Sequence, residues 1–208
     1  MQITPAILET EAEELKQKVA MVEHAVDLIQ IDVGDGTFVP TVTVLPRALG
    51  EFRPLTALEV HLMVQRPDRF AADWVNLGAT KFIFHVEADG DLERFIAQCR
   101  ELDCDVAIAL NPGTPLEKLE PFLDLVDEVF FLGGKPGAQG NPFQPDVLDA
   151  IKEFHASFPS MPIALDIGVN EENIPMIAAA GVTRVCVGST LWKSADPVAE
   201  LQKLSAIQ

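Results

Sequence analysis

Basic residues are scarce in this chain: 15 lysines and arginines stand against 32 aspartates and glutamates, a formal charge of −17. Such a charge repels polyanions and provides no basic stripe along a nucleic-acid backbone, which argues against nucleic-acid binding. A small phosphorylated ligand held locally by backbone amides remains compatible with it. Long apolar runs are also missing. No segment approaches the roughly 18 uninterrupted apolar residues that span a bilayer, and the N-terminus lacks the basic-then-apolar order of a secretory signal. A soluble, cytoplasmic protein without membrane contact is expected. Cysteine is limited to Cys99, Cys104 and Cys186, an odd number without CxxC or Cys/His ligand spacing. Buried free thiols in a reducing compartment fit that usage better than disulfides or a zinc knot. Nor is there a linker or low-complexity tract, so one domain over residues 1–208 is expected.

What is present is a repeated alternation. Apolar, β-branched runs recur at about residues 3–8, 27–33, 57–63, 80–86, 105–110, 127–132, 161–166 and 183–188, with helix-like segments between most of them. Eight strands alternating with helices predict an α/β fold, a single-domain (β/α)8 TIM barrel. An open doubly wound sheet fits less well, because no Gly-x-Gly-x-x-Gly follows the first strand. Thr10-x-x-Glu13, Thr114-Pro-Leu-Glu117 and Asp196-Pro197 mark expected helix starts. Gly78-Ala-Thr-Lys-Phe-Ile-Phe-His85 and Gly181-Val-Thr-Arg-Val-Cys-Val-Gly188 both read as a helix-ending glycine followed by a strand, the fourth and the eighth. The stretch from Gly133 to Phe143, glycines between prolines after the sixth strand, suits a mobile lid, with Gly137, Gly140 and Lys135 as ligand-facing candidates.

The chemistry-bearing residues stand at strand ends. Asp32 and Asp35 close the second run, His61 lies near the end of the third, and Asp166 ends the seventh. In a barrel those ends gather at one mouth. Side chains alternate along a strand, so Gln30 shares a face with Asp32, and Glu59 and Met63 share one with His61. Asp32, His61 and Asp166 together suit a divalent cation such as zinc, manganese or iron. They equally suit a metal-free pair of carboxylates that removes a proton beside a ketone on one face and returns one on the other. Gly168 after the seventh strand, and Gly188 with Ser189 after the eighth, are candidates to hold a phosphate on backbone amides. His85 and Asn111 end the fourth and fifth strands and are expected at the mouth.

Thr4-Pro-Ala-Ile-Leu8, Ile31-Asp-Val-Gly-Asp-Gly-Thr-Phe-Val-Pro40, Val60-His-Leu-Met63, His85-Val-Glu87, Leu110-Asn-Pro-Gly-Thr-Pro115 and Val187-Gly-Ser189 resemble the ribulose-phosphate 3-epimerase family over nearly the whole chain. The resemblance implies metal-assisted interconversion of D-ribulose 5-phosphate and D-xylulose 5-phosphate. It makes Asp32 and Asp166 both the acid/base pair and metal ligands, and His61 a third ligand. The family's further histidine ligand, two residues before the first aspartate, is Gln30 here. The family's Pro-Ser-Ile-Leu has Ala6, its Asp-x-Met-Asp-Gly has Gly34, and its Asp-Gly-Gly has Ile167 before Gly168. These departures leave three readings: an epimerase with an altered metal site, an enzyme for another phosphorylated ketose, or a barrel binding a phosphosugar or a protein partner without turnover. Apolar residues on short barrel helices are compatible with a homo-oligomer.

Overall fold

A computed structural model describes residues 1–207. Eight parallel strands close in sequence order, with β8 pairing back onto β1. They are β1 (Gln2–Ile7), β2 (Leu28–Gly34), β3 (Ala57–Met63), β4 (Ala79–His85), β5 (Asp105–Leu110), β6 (Glu128–Leu132), β7 (Ile163–Asp166) and β8 (Arg184–Val187). The expected single-domain (β/α)8 barrel is therefore what the chain forms. Boundaries differ from the apolar runs by a residue or two. β7, for example, starts only at Ile163, after Pro162, which has no N–H to donate to a ladder.

Both faces of the sheet are buried, which is why its strands read as nearly continuous apolar runs. Outward residues such as Ile29, Ile31, Val60, Leu62, Phe82 and Phe84 pack under the helices in the larger core cluster. The inward positions form a second cluster in which the small Ala6, Ala107, Ala109 and Ala164 leave room for Phe130. Each large apolar side chain removed from water in this way contributes about 1.5–3 kcal/mol.

The helices are α1 (Ala12–Val22), α2 (Pro46–Leu49), α3 (Ala71–Val75), α4 (Leu92–Glu101), α5 (Val147–Ser157), α6 (Ile174–Ala179), α7 (Ser189–Trp192) and α8 (Pro197–Ser205). In α4 the buried Leu92, Phe95, Ile96 and Cys99 fall at i, i+3, i+4 and i+7, and the Asp91 side chain accepts from Arg94 N–H. Asp196 caps α8 as its sequence predicts, accepting from Val198 and Ala199 N–H. Gly78 and Gly181 both sit at positive φ between a helix and β4 or β8. Two expected caps do not form. α1 starts at Ala12 without a side-chain cap, and Glu13 pairs with Lys16 instead. After Thr114 the chain makes a 3-10 stretch, Leu116–Phe122, with Pro121 inside it, and Thr114 turns its hydroxyl elsewhere. The three cysteines are free and buried, as expected. Among the described residues, no helix is long and apolar enough to cross a membrane.

Candidate active site and metal centre

Register brings the sequence candidates together. Asp32 lies opposite His61 across β2 and β3, Ala6 opposite Gln30 across β1 and β2, and Leu132 opposite Asp166 across β6 and β7. Asp32, His61 and Asp166 offer ligand atoms that all lie within 4.8 Å of one another, and all three residues are buried. His61 Nδ1 is 2.9 Å from Asp32 Oδ1 and 3.9 Å from Asp166 Oδ2. Gln30 lies beneath them, its amide Nε2 donating to Asp32 Oδ1 at 2.9 Å and to Asp166 Oδ2 at 2.7 Å. One amide thus ties the two carboxylates together, while its buried oxygen, Oε1, has no partner.

Among the described residues, no lysine or arginine pairs with these carboxylates at the mouth. Burial raises Asp32 to about 7, with the Glu59 charge adding to it and the Gln30 bond opposing it. Burial, and then the charge of Asp32, raise Asp166 to about 7. Burial also lowers His61 and His85 to about 4, so both rings are neutral at neutral pH. Two carboxyl groups poised near 7 are matched to taking and giving protons. The donor set also fits a divalent cation: two carboxylates and an imidazole converge, and the unpartnered amide oxygen of Gln30 is a further oxygen donor.

Behind His61 runs a line of polar contacts. His61 Nε2 is 2.9 Å from His85 Nε2, and His85 Nδ1 is 3.3 Å from Glu87 Oε2. Glu87 Oε1 accepts from Asn111 N–H and from the Thr114 hydroxyl. Burial disfavours the Glu87 charge, but the bonds from His85, Thr114 and Asn111 hold the carboxyl at about 2. His85 is therefore set behind His61 and not on the cavity. Glu87 and Thr114 were not singled out as site residues from sequence. The available signal was the i, i+2 spacing of His85 and Glu87 at a strand end.

Met63, Gly137, Gly140, Gly168, Gly188 and Ser189 all border the same cavity as Asp32, His61 and Asp166. The stretch from Gly133 to Phe143 covers it. Thr41 donates to the Gly137 carbonyl and Gln139 Nε2 to the Leu8 carbonyl. A Cβ on Gly137 would lie 2.6 Å from Val39 Cβ, so only glycine allows this close seating. The space left beneath the segment is about 50 Å³.

Several positions differ from expectation. Asp35 takes no part in the cluster; it accepts from Thr37, Phe38 and Gln65 N–H and fixes the loop after β2. Lys135 borders a separate cavity beside Phe38 and Asn111, so neither Lys135 nor Asn111 lines the carboxylate cavity. The cation beside the covering segment is Lys193, whose Nζ would lie 3.5 Å from a Cβ on Gly140. Gly34 is required by packing, since a Cβ there would lie 2.4 Å from the Thr41 carbonyl. Ile167, next to Gly168, adopts φ 77°, a strained conformation for a β-branched residue.

The chain matches the ribulose-phosphate 3-epimerase family over residues 2–192. It is 33% identical over 204 residues to a ribulose-phosphate 3-epimerase of Bacillus subtilis, covering 94% of each chain. It is 32% identical over 202 residues to one of Escherichia coli K12, covering 93% of this chain and 90% of that protein. Among solved structures, the 3-hexulose-6-phosphate synthase of Salmonella typhimurium superposes with a TM-score of 0.70 at 18% identity, covering 100% of this chain and 98% of that one. The phosphoribosyl anthranilate isomerase of Thermococcus kodakaraensis gives 0.68 at 16%, covering 99% and 97%. At such identities the two structures speak for the shared barrel alone.

Proposed function

The chain belongs to the ribulose-phosphate 3-epimerase family, and from that membership we propose that Asp32 and Asp166 interconvert D-ribulose 5-phosphate and D-xylulose 5-phosphate by moving a proton at C3. The observation that carries this reading is the pair of buried carboxyl groups, both raised to about 7, facing one cavity from β2 and β7. One, ionised, takes the C3 proton from one face of the substrate. The other, protonated, returns a proton to the opposite face, which inverts the carbon and exchanges the two roles.

The enediolate formed between these transfers is negative, and its stabilisation needs a positive or hydrogen-bonding partner. A divalent cation held by Asp32, His61 and Asp166, with Gln30 Oε1 as a further donor once the amide rotates, would supply that positive charge. Two carboxylates and an amide oxygen favour manganese or iron over zinc. Met63 and Ile167 wall the cavity with apolar surface. Gly168, Gly188 and Ser189 hold the phosphate on loop amides and a hydroxyl, and the segment carrying Gly137 and Gly140 closes over the substrate and excludes water. The three buried free thiols suit a cytoplasmic setting.

Proton NMR of D-ribulose 5-phosphate with metal-supplemented protein in deuterated water tests this. Xylulose 5-phosphate carrying deuterium at C3, absent with Asp32→Asn, is the expected result. No product and no exchange above that control would defeat the reading.

A further inference from the structure

The line of contacts behind His61 has a direction that the bonding rules determine. The Asn111 backbone N–H can only donate, so Glu87 Oε1 is an acceptor, and the carboxylate also takes the Thr114 hydroxyl. An ionised Glu87 leaves Oε2 as an acceptor facing His85 Nδ1, so the His85 proton sits on Nδ1. A neutral His85 then has its lone pair on Nε2, and His61 Nε2, 2.9 Å away, must be the donor. The neutral His61 ring is left with its own lone pair on Nδ1, pointing at Asp32 Oδ1.

We propose that Glu87 and His85 are positioning residues that lock His61 in its Nε2–H tautomer and so present Nδ1 to the carboxylate cluster as a ready metal ligand. Left to itself, His61 would be better satisfied by donating from Nδ1 to Asp32, an arrangement that blocks ligation. The chain to Glu87 overrides that choice, because the opposite tautomers would set the buried His85 lone pair against the half-buried Glu87 carboxylate. His85 has no competing use: its other close neighbour is the Phe38 ring, 4.8 Å between centroids. Nδ1 and Oδ1, two acceptors 2.9 Å apart, require a positive charge between them, a proton or a divalent cation. The ligand role rests on the proposed function's reading of Asp32, His61 and Asp166 as a cation site. The tautomer does not.

Long-range proton–nitrogen NMR of the 15N-labelled, chelator-treated full chain reads the tautomer directly. In the native protein His61 is expected to show a protonated Nε2 and an unprotonated Nδ1; the reverse overturns the proposal without recourse to any variant. In Glu87→Gln the amide oxygen must take the Asn111 N–H, so the amide nitrogen faces His85 Nδ1 and the whole line reverses. His61 should then carry its proton on Nδ1, and Mn²⁺ affinity, read by competition with a chromophoric chelator, should fall about 10–100-fold. Thr114→Val, which spares the carboxylate, should leave the tautomer as it is. An unchanged His61 tautomer in Glu87→Gln overturns the relay. The native tautomer as expected, with no Mn²⁺ uptake, keeps the lock, overturns its ligand role and defeats the metal part of the proposed function.

Discussion

The two ends of the barrel interior use the same kinds of residue to opposite effect. At the N-terminal ends of the strands, Glu59, Glu128 and Arg184 are buried, and the partly exposed Lys81 joins them. Arg184 Nε lies 3.0 Å from Glu128 Oε1, Lys81 Nζ 2.7 Å from Glu128 Oε2, and Arg184 also reaches Glu59. At the mouth, Asp32 and Asp166 are buried with neutral partners, Gln30 and His61. Phe130 separates the levels, with the Arg184 guanidinium 5.8 Å from its ring centre and the His61 ring 5.1 Å away. Burial opposes ionisation at both ends. At the base it is outweighed by Arg184 and Lys81, and Glu128 is lowered. At the mouth nothing outweighs it, and both aspartates are raised. Counter-charge, more than depth, separates a structural acid from a reactive one.

If the base is compensated, removing its cation should be the most costly change in the interior. Arg184→Met leaves Glu59 and Glu128 facing only Lys81 and should cost about 3–5 kcal/mol, the range for breaking a buried ion pair. Urea unfolding measures it; a loss below about 1 kcal/mol would mean that water reaches the base and that the contrast between the ends is overstated.

At the mouth the same logic predicts lost chemistry without lost fold. Asp166→Asn should lower kcat by about 10²–10⁴-fold, the contribution of a positioned acid or base. The metal-free variant should be at least as stable as the native chain near pH 8, because an unpaired buried charge has been removed. Steady-state kinetics together with thermal unfolding check both halves, and a variant that is inactive because it unfolds contradicts the second.

The pH response follows from the same carboxyls. They are raised to about 7 in the fold from the ordinary aspartate value of 3.8, so the fold binds their protons more tightly than the unfolded chain. The stability lent by that protonation is full below about pH 4 and is lost as pH rises through about 7. In chelated protein the loss should be on the order of 4 kcal/mol per carboxyl. A saturating divalent cation should flatten the slope, as should Asp32→Asn. The base responds in the opposite sense: Glu128 is lowered, so its contribution is present above its unfolded pKa and lost as pH falls through its lowered value.

Much of this was legible because periodicity survives in single-residue detail. Eight apolar runs predict eight strands, and Asp32, His61 and Asp166 stand at strand ends that a barrel must bring together. The misses have local causes. Thr114-Pro-Leu-Glu117 has the form of a helix cap, yet Pro121 limits the segment to a 3-10 stretch and Glu87, distant in sequence, takes the hydroxyl. Asp35 closes the same run as Asp32 and reads as a second site acid, yet its carboxylate accepts from Thr37 and Phe38 N–H in the loop after β2. Gly34 read as a lost side chain, whereas the Thr41 carbonyl already occupies that space. For Thr114 the deciding partner came from another segment, which local pattern does not reveal.

Gln30 is where the two ends of the barrel come closest to behaving alike. Its amide does for Asp32 and Asp166 a small part of what Arg184 does for Glu59 and Glu128, holding two acids together without bringing a charge. Gln30→His should give up that pair of hydrogen bonds and offer an imidazole in its place. Metal-free protein should lose about 1.5–3 kcal/mol, the worth of a hydrogen bond to a charged group. Divalent-metal affinity should rise, and a saturating metal should restore the lost stability by mass action. Unfolding curves with and without Mn²⁺ separate these effects. A variant destabilised equally in both conditions would show that the cluster does not take up a cation, and the comparison would then reduce to a paid charge network below and a neutral hydrogen-bonded pair above.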